Sequence, residues 1–164
     1  ETQNDHPTIS PDKRMIYFSS DRNKESRIWR VNADGSNLTQ ITFGEAETHL
    51  FPQVSPDGKW LYFIIKSGRN STIGRKSLTE NSVQELSGKV KFVPGNFLSL
   101  SPDGRFLVFQ NISYQSTTSQ LQIAILSTEN PDNVELREIE AWQQTVEWDR
   151  QNGSVNFITG NVKE

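Results

Sequence analysis

One tetrapeptide recurs three times in this chain at a nearly constant spacing. The copies begin 45 and 46 residues apart and are Ser10-Pro11-Asp12-Lys13, Ser55-Pro56-Asp57-Gly58 and Ser101-Pro102-Asp103-Gly104. A fixed period of this length is typical of chains that stack one structural unit several times. The fold therefore has to be interpreted one repeat at a time.

Each tetrapeptide predicts a tight turn between two antiparallel strands. Proline presets φ at the second position of the turn, aspartate bonds nearby backbone N–H groups, and glycine tolerates a positive φ. Asp12, Asp57 and Asp103 recur once per repeat, so we interpret them as turn residues and not as paired catalytic carboxylates. Asp34 and Gly35 predict a second turn of this kind within the first repeat.

Four strands are predicted in each repeat. A short aromatic and aliphatic run follows every tetrapeptide, at residues 15–18, 60–63 and 106–109, and a brief extended segment precedes it. In the first repeat a polar loop, residues 28–31, the second turn and residues 38–41 complete the unit. Four antiparallel strands in about 45 residues are typical of one β-propeller blade.

The predicted fold is all-β, a single propeller segment of about three and a half blades. The expected blades are 1–44, 45–88, 89–140 and a partial blade at 141–164. A length of 164 residues gives no reason to expect a second domain.

Both faces of the second predicted strand are apolar in the first repeat. Met15 and Tyr17 lie on one face and Ile16 and Phe18 on the other, which predicts a blade held between two neighbours. The partial fourth copy differs, because Ser154 and Asn156 replace the first pair while Val155 and Phe157 keep the second face apolar. Its far face is therefore expected to be polar or terminal.

The first repeat resembles the TolB-type propeller repeat. The similarity rests on the segment from Ile9 to Phe43, ISPDKRMIYFSSDRNKESRIWRVNADGSNLTQITF. Later copies keep the first half and change the second, with Ile73-Gly74-Arg75 at the Ile-Trp strand and residues 130–133 at the Asp-Gly turn. Such repeats are similar in the periplasmic Tol-Pal component, prolyl-oligopeptidase-type enzymes, pectate-fragment lyases and bacterial winged-helix regulators. The resemblance thus specifies a blade and leaves the function open.

Propellers of this kind close with roughly four to eight blades, so three and a half blades leave open edges and apolar blade faces. Two alternatives follow: the chain is a fragment of a longer propeller, or it covers its edges with another copy or a protein partner.

Several classes of function are not expected. The net charge is -3 and the 17 Lys and Arg residues are scattered, which argues against nucleic-acid binding. No apolar run is long enough for membrane insertion. There is no Cys, no Gly-x-Ser-x-Gly elbow and no Gly-rich phosphate loop, so no catalytic residue and no cofactor are predicted.

Candidate ligand-binding residues are expected at one rim of the propeller. Up-and-down connectivity brings the loops before each first strand and after each second strand to the same end. These loops contain Asp5, His6, Asp21, Arg22, His49, Arg69, Asn96, Tyr114, Gln115 and Trp142.

Two readings of these residues remain open at this point. The two histidines could converge on a metal, as the histidines of pectate-fragment lyases do, but two ligands make an incomplete site, and no metal site is predicted. Asp21 and Arg22 are interpreted mainly as a structural pair that holds its loop, with ligand contact as the alternative.

The expected function is that of a non-catalytic protein- or ligand-binding propeller, the sensor or interaction part of a larger bacterial protein. The resemblance favours a periplasmic address and leaves a cytoplasmic one open. The alternatives are a metal-dependent oligosaccharide lyase and the substrate-gating propeller of a prolyl-oligopeptidase-type peptidase.

Overall fold

The computed structural model describes residues 2–44, 47–68, 70–80, 82–86, 94–115, 118–138, 143–149 and 153–159. All regular elements in these ranges are β-strands. Nothing in them forms a helix of the length and hydropathy that a membrane span requires.

The strands form antiparallel sheets in which chain neighbours pair with each other. The first sheet contains β1 (Asn4–Ile9), β2 (Met15–Ser20), β3 (Arg27–Asn32) and β4 (Thr39–Gln40). The second contains β5 (Thr48–Val54), β6 (Trp60–Ser67), β7 (Asn70–Ser77) and β8 (Val83–Glu85). The third contains β9 (Pro94–Leu100), β10 (Phe106–Gln115), β11 (Thr118–Ser127) and β12 (Val134–Glu138). A two-stranded sheet of β13 (Gln143–Trp148) and β14 (Val155–Thr159) follows.

This architecture confirms the predicted fold class, with three four-stranded blades and part of a fourth. The third strand of the second blade forms although the Ile-Trp sequence is replaced there. Ile28 and Ile73 occupy the same repeat position and are both fully buried. The same repeat position is therefore buried in both blades, whereas the residue after it is Trp29 in the first blade and Gly74 in the second.

The tetrapeptide turns share one hydrogen-bond pattern. In the first, Ser10 Oγ donates to Asp12 Oδ1 (2.6 Å) and accepts from the backbone N–H of Met15 (2.9 Å). Asp12 also accepts from the backbone N–H of Arg14 (3.1 Å). The bonds of Ser55 with Asp57 and of Ser101 with Asp103 repeat this arrangement.

The fourth position of each turn requires a left-handed backbone. Lys13, Gly58 and Gly104 have φ of 60, 71 and 77°. The hydroxyl of Ser101, the backbone N–H of Arg105 and the guanidinium of Arg105 stabilise the charged carboxylate of Asp103 and lower its pKa to about 2. The side chains of these aspartates are thus engaged within their own turns.

The chain divides into two compact units, Glu1–Lys91 and Phe92–Glu164. In the first unit, Tyr17, Ile28 and Ile41 of the first blade pack against Leu61, Phe63 and Ile65 of the second. These side chains form the interface between two stacked blades.

In the second unit, Val108 and Ile123 of the third blade form the buried centre of a cluster. Trp148 and Val155 of the two-stranded sheet pack against them. Val155 thus contributes to the face that the sequence predicts to be apolar. The side chain of Asn156, on the opposite face, lies outside the described residues.

Candidate functional site

The loop after β2 contacts the segment that leads into β1. The backbone N–H of Gln3 donates to Asp21 Oδ1 (2.8 Å), and Arg22 Nη2 donates to Asn4 Oδ1 (2.8 Å). In the first blade the structure therefore brings together two loops that connectivity predicts at one rim. Both side chains bond within the blade.

Arg22 also lies across two aromatic rings of the first blade. Its guanidinium carbon is 5.4 Å from the ring centroid of Phe18 and 4.7 Å from that of Trp29. Its Nε donates to Ser20 Oγ (3.0 Å). The contacts of this arginine hold the loop and cover the rings, which is a structural role.

The ring of His6 packs against that of Phe51, with 3.8 Å between the ring centroids and 42° between the ring planes. The two residues occupy the same place in consecutive repeats, four residues before the serine of the turn and directly before a proline. Both adopt a left-handed backbone, with φ of 54 and 57°, at an irregularity in the pairing of β1 and β5 with their neighbours. His6 is exposed and Phe51 is buried.

The electrostatic surroundings of His6 are mixed. Desolvation is the largest influence and lowers the pKa of His6, the charge of Asp5 raises it, and the charge of Lys66 lowers it. The imidazole is therefore favoured in its neutral form, with a carboxylate and an ammonium group in electrostatic reach. This surface therefore combines an aromatic contact with one negatively and one positively charged side chain.

His49 lies in a different environment, with only 3% of its surface exposed. Its Nε2 is 3.3 Å from Glu47 Oε2, and its ring centroid is 5.1 Å from that of Phe63. Burial lowers the pKa of His49, against the opposing effect of Glu47. Nδ1 is buried without a hydrogen-bond partner among the described residues. This histidine is part of the packed interior and not of an open rim.

The structure shows no shared cluster for the two histidines. In the described ranges no three residues of His, Cys, Asp or Glu are grouped so that they could hold a metal ion.

The side chains of the five remaining candidates are not described. Arg69 and Trp142 lie outside the described residues. Tyr114 and Gln115 end β10, where they pair with Ser119 and Thr118. Asn96 lies within β9, and none of these last three side chains is described.

Sequence reasoning missed Arg27, which is buried at the junction of the first two blades. Its guanidinium donates to the backbone carbonyls of Ser26 (2.9 Å), Gly44 (2.8 Å) and Glu47. The backbone N–H of His49 also donates to the carbonyl of Ser26 (2.9 Å). The sequence alone predicts that an arginine at the start of a strand is solvent-exposed. Only the positions of the Gly44 and Glu47 carbonyl groups around its guanidinium reveal this role.

A family model of the TolB beta propeller domain matches residues 1–151. The chain belongs to this family. An uncharacterized protein of Agrobacterium fabrum is 45% identical over 64 residues, which is 39% of this chain and 22% of that protein. The matched part of this TolB-family chain thus spans about a fifth of that relative's length.

Solved structures similar to this TolB-family chain share its fold. TolB from Acinetobacter baumannii matches with a TM-score of 0.67 and 20% identity, over 85% of this chain and 32% of that one. An oligogalacturonate lyase in complex with manganese matches with a TM-score of 0.66 and 15% identity, over 84% of this chain and 40% of that one. At 15 and 20% identity these similarities show the fold alone.

Proposed function

We propose that this TolB-family chain is a non-catalytic binding module, and that the surface around His6 and Phe51 contacts a protein partner. The observation that carries the proposal is the contact between these two rings. An exposed imidazole lies 3.8 Å from a buried phenyl ring, and the charges of Asp5 and Lys66 both act on it.

The backbone of this pair supports a role in binding. Non-glycine residues with positive φ are uncommon and cost on the order of 1–3 kcal/mol each, so they persist where the surrounding structure holds them. Here both residues lie directly before a proline, Pro7 or Pro52, at an irregularity in the pairing of their strands. Repetition of the strained conformation in consecutive repeats places two rings side by side, which neither blade could do alone.

The chemistry of the surface fits a polypeptide. Interfaces between proteins are rich in aromatic groups at the centre and polar groups at the rim. The rings of His6 and Phe51 supply the aromatic part. Asp5 and Lys66 supply a negative and a positive charge, which can pair with charged groups of either sign on the partner.

The remaining candidate groups support binding over acid–base catalysis. Asp21 accepts from Gln3, Arg22 donates to Asn4 and Ser20, and the turn aspartates accept from their own turns. Groups engaged in this way maintain the scaffold. In this proposal the chain is the sensor or interaction part of a larger bacterial protein, with a periplasmic address.

Photo-crosslinking tests the proposal with a matched pair of positions on the second blade. Lys66 lies beside the hairpin end of β6, and Lys59 lies in the turn at the other end of that strand. A photoreactive lysine analogue at 66 is expected to capture a protein partner that the analogue at 59 does not capture. His6→Ala should abolish the capture at 66.

Capture of the same proteins from both positions, or capture that survives His6→Ala, contradicts the proposal. The lyase alternative is tested in parallel by incubating the chain with oligogalacturonate and manganese. Turnover that is lost in His6→Ala would replace the binding role by a catalytic one. The peptidase alternative requires a hydrolase domain in the same polypeptide, which the flanking coding sequence would show.

A further inference from the structure

A group of residues ties the first blade to the second where the chain passes between them. We call it the Arg27 junction and define it by Ser26, Arg27, Gly44, Glu47 and His49. The guanidinium of Arg27, at the start of β3, donates to the carbonyls of Gly44 (2.8 Å) and Glu47. The backbone N–H of His49, in β5, donates to the carbonyl of Ser26 (2.9 Å). Hydrogen bonds to backbone groups thus join the two blades at this point.

The junction is closely packed around two of its side chains. A Cβ on Gly44 would lie 2.9 Å from Glu47 Oε2 and 3.8 Å from His49 Cε1, so both side chains lie directly against the backbone of Gly44. His49 is buried, and its ring also lies beside that of Phe63. The polar atoms of this imidazole therefore depend on protein groups for their hydrogen bonds.

The neutral form of His49 fits this environment and the protonated form does not. Nε2 lies 3.3 Å from Glu47 Oε2, and because a carboxylate only accepts, the proton of the neutral ring lies on Nε2. Protonation would add an N–H at Nδ1, which is buried and for which no described residue provides an acceptor. A buried donor without an acceptor is costly, so the protonated ring is favoured where water can reach it.

The charges that act on His49 from the described residues come from both sides of the junction. Desolvation is the largest influence and lowers the pKa of His49, Glu47 raises it, and the positive charge of Arg27 lowers it. Phe63 and Ile65, which face His49 from β6, carry no charge. Protonation thus creates a second buried cation near Arg27, and moving the ring away from Arg27 relieves the repulsion.

We propose that the Arg27 junction is a proton-sensitive contact, in which mild acid charges His49 and opens the junction while the apolar interface between the two blades stays closed. The opening breaks the backbone hydrogen bond from His49 to Ser26. Tyr17 is the titratable side chain of the apolar interface, and burial raises its pKa further above the range in which histidine titrates. Acid therefore acts on the junction and not on this interface. The inference is independent of the partner proposed for the surface around His6.

Amide hydrogen exchange of the full chain, followed by NMR spectroscopy at about pH 7.5 and about pH 5.5, tests this proposal. After correction for the intrinsic exchange rate, the protection factor of the His49 N–H should fall about three- to tenfold at the lower pH. Tenfold is about the limit for one group that titrates near pH 6.5 once it is exposed. A fall of less than about threefold overturns the proposal.

Urea below the unfolding midpoint separates local opening from global unfolding. It should accelerate exchange of the Phe63 N–H, which lies in the middle of β6, and leave exchange of the His49 N–H unchanged, because a local opening exposes little surface. Equal acceleration at both amides would mean that the whole chain unfolds, and it overturns the proposal.

His49→Gln should remove the pH dependence of exchange at residue 49. His6→Gln is the matched control, because it changes the exposed histidine and should keep the full effect. Glu47→Gln retains the His49 ring and removes the group that attracts its proton, so the fall in protection should be at least as large as in the wild-type chain. Circular dichroism at about pH 7.5 verifies the fold of each variant. A pH effect that survives His49→Gln, is lost in His6→Gln or shrinks in Glu47→Gln contradicts the proposal.

Discussion

The first and second blades carry the same sheet face in two environments. In the second blade Phe63 is fully buried and pairs with Gly74, whereas in the first blade Phe18 is half-buried and pairs with Trp29. A Cβ on Gly74 would lie 2.7 Å from Ile65 Cδ1 and 2.9 Å from the Phe63 ring. A covered face thus needs the space that glycine leaves. At the same position in the first blade stands Trp29, with the guanidinium carbon of Arg22 4.7 Å from its ring centroid.

The comparison is tested most directly by truncating the two phenylalanines. Phe63→Ala should cost about 3–5 kcal/mol of unfolding free energy, because it removes a fully buried ring from the interface of two blades. Phe18→Ala should cost less than about half of that, since its ring is already partly hydrated. Urea denaturation at low protein concentration measures both. Equal losses would show that the two faces are covered to the same extent.

Gly74→Ala should destabilise the chain by about 1–3 kcal/mol through overpacking. The methyl group has to displace Ile65 or Phe63, and no backbone strain contributes, because Gly74 has no positive φ. Combining it with Ile65→Val, which removes the closest atom, should cost less than the sum of the two single changes. Additive losses in a double-mutant cycle would locate the strain elsewhere.

His49 gives the second blade a titratable side chain at a position where the first blade has none. It lies beside Phe63 and is buried, whereas Asn4 at the same repeat position is exposed. Burial lowers the pKa of His49 in the folded chain, so the unfolded chain binds more protons below its own pKa of about 6.5. Unfolding free energy should therefore fall with decreasing pH, by at most about 1.4 kcal/mol per pH unit for this group.

Denaturation curves between about pH 5 and pH 7.5 measure this slope. His49→Gln should flatten it, and Glu47→Gln should steepen it, because the Glu47 carboxylate favours the protonated ring. His6→Gln is the control for the second histidine, whose pKa is also lowered. A slope that His49→Gln leaves unchanged would assign the effect to another group.

Arg22→Ala is expected to have the smallest effect, about 0.5–1 kcal/mol, because its contacts with the two rings are partly exposed. Fluorescence quenching of Trp29 is the more specific measurement. Acrylamide should quench the fluorescence of Trp29 more strongly once the guanidinium is gone, in a background where the other tryptophans are replaced by phenylalanine. Arg14→Ala, an exposed arginine at the turn, should change neither measurement.

The blades were predictable because their signals are local. A turn needs proline, aspartate and a residue that tolerates positive φ within four positions, and a strand needs a short alternating run. Ile28 and Ile73 follow from the same periodicity. The site was less predictable. His6 and His49 lie four and six residues before their serines, which suggested that they could converge. The structure instead places the ring of His6 against that of Phe51, the residue four places before the second serine.

By itself the sequence determined the repeat, the four-stranded blade and the turn chemistry, because each depends on residues close together in the chain. Only the tertiary structure decided which sheet faces pack against each other and why the second blade has Gly74 where the first has Trp29. It also decided how Arg27 binds the carbonyl groups of Gly44 and Glu47. These features depend on which side chains and carbonyl groups meet across sheets. Such contacts join residues distant in sequence, and no local spacing encodes them.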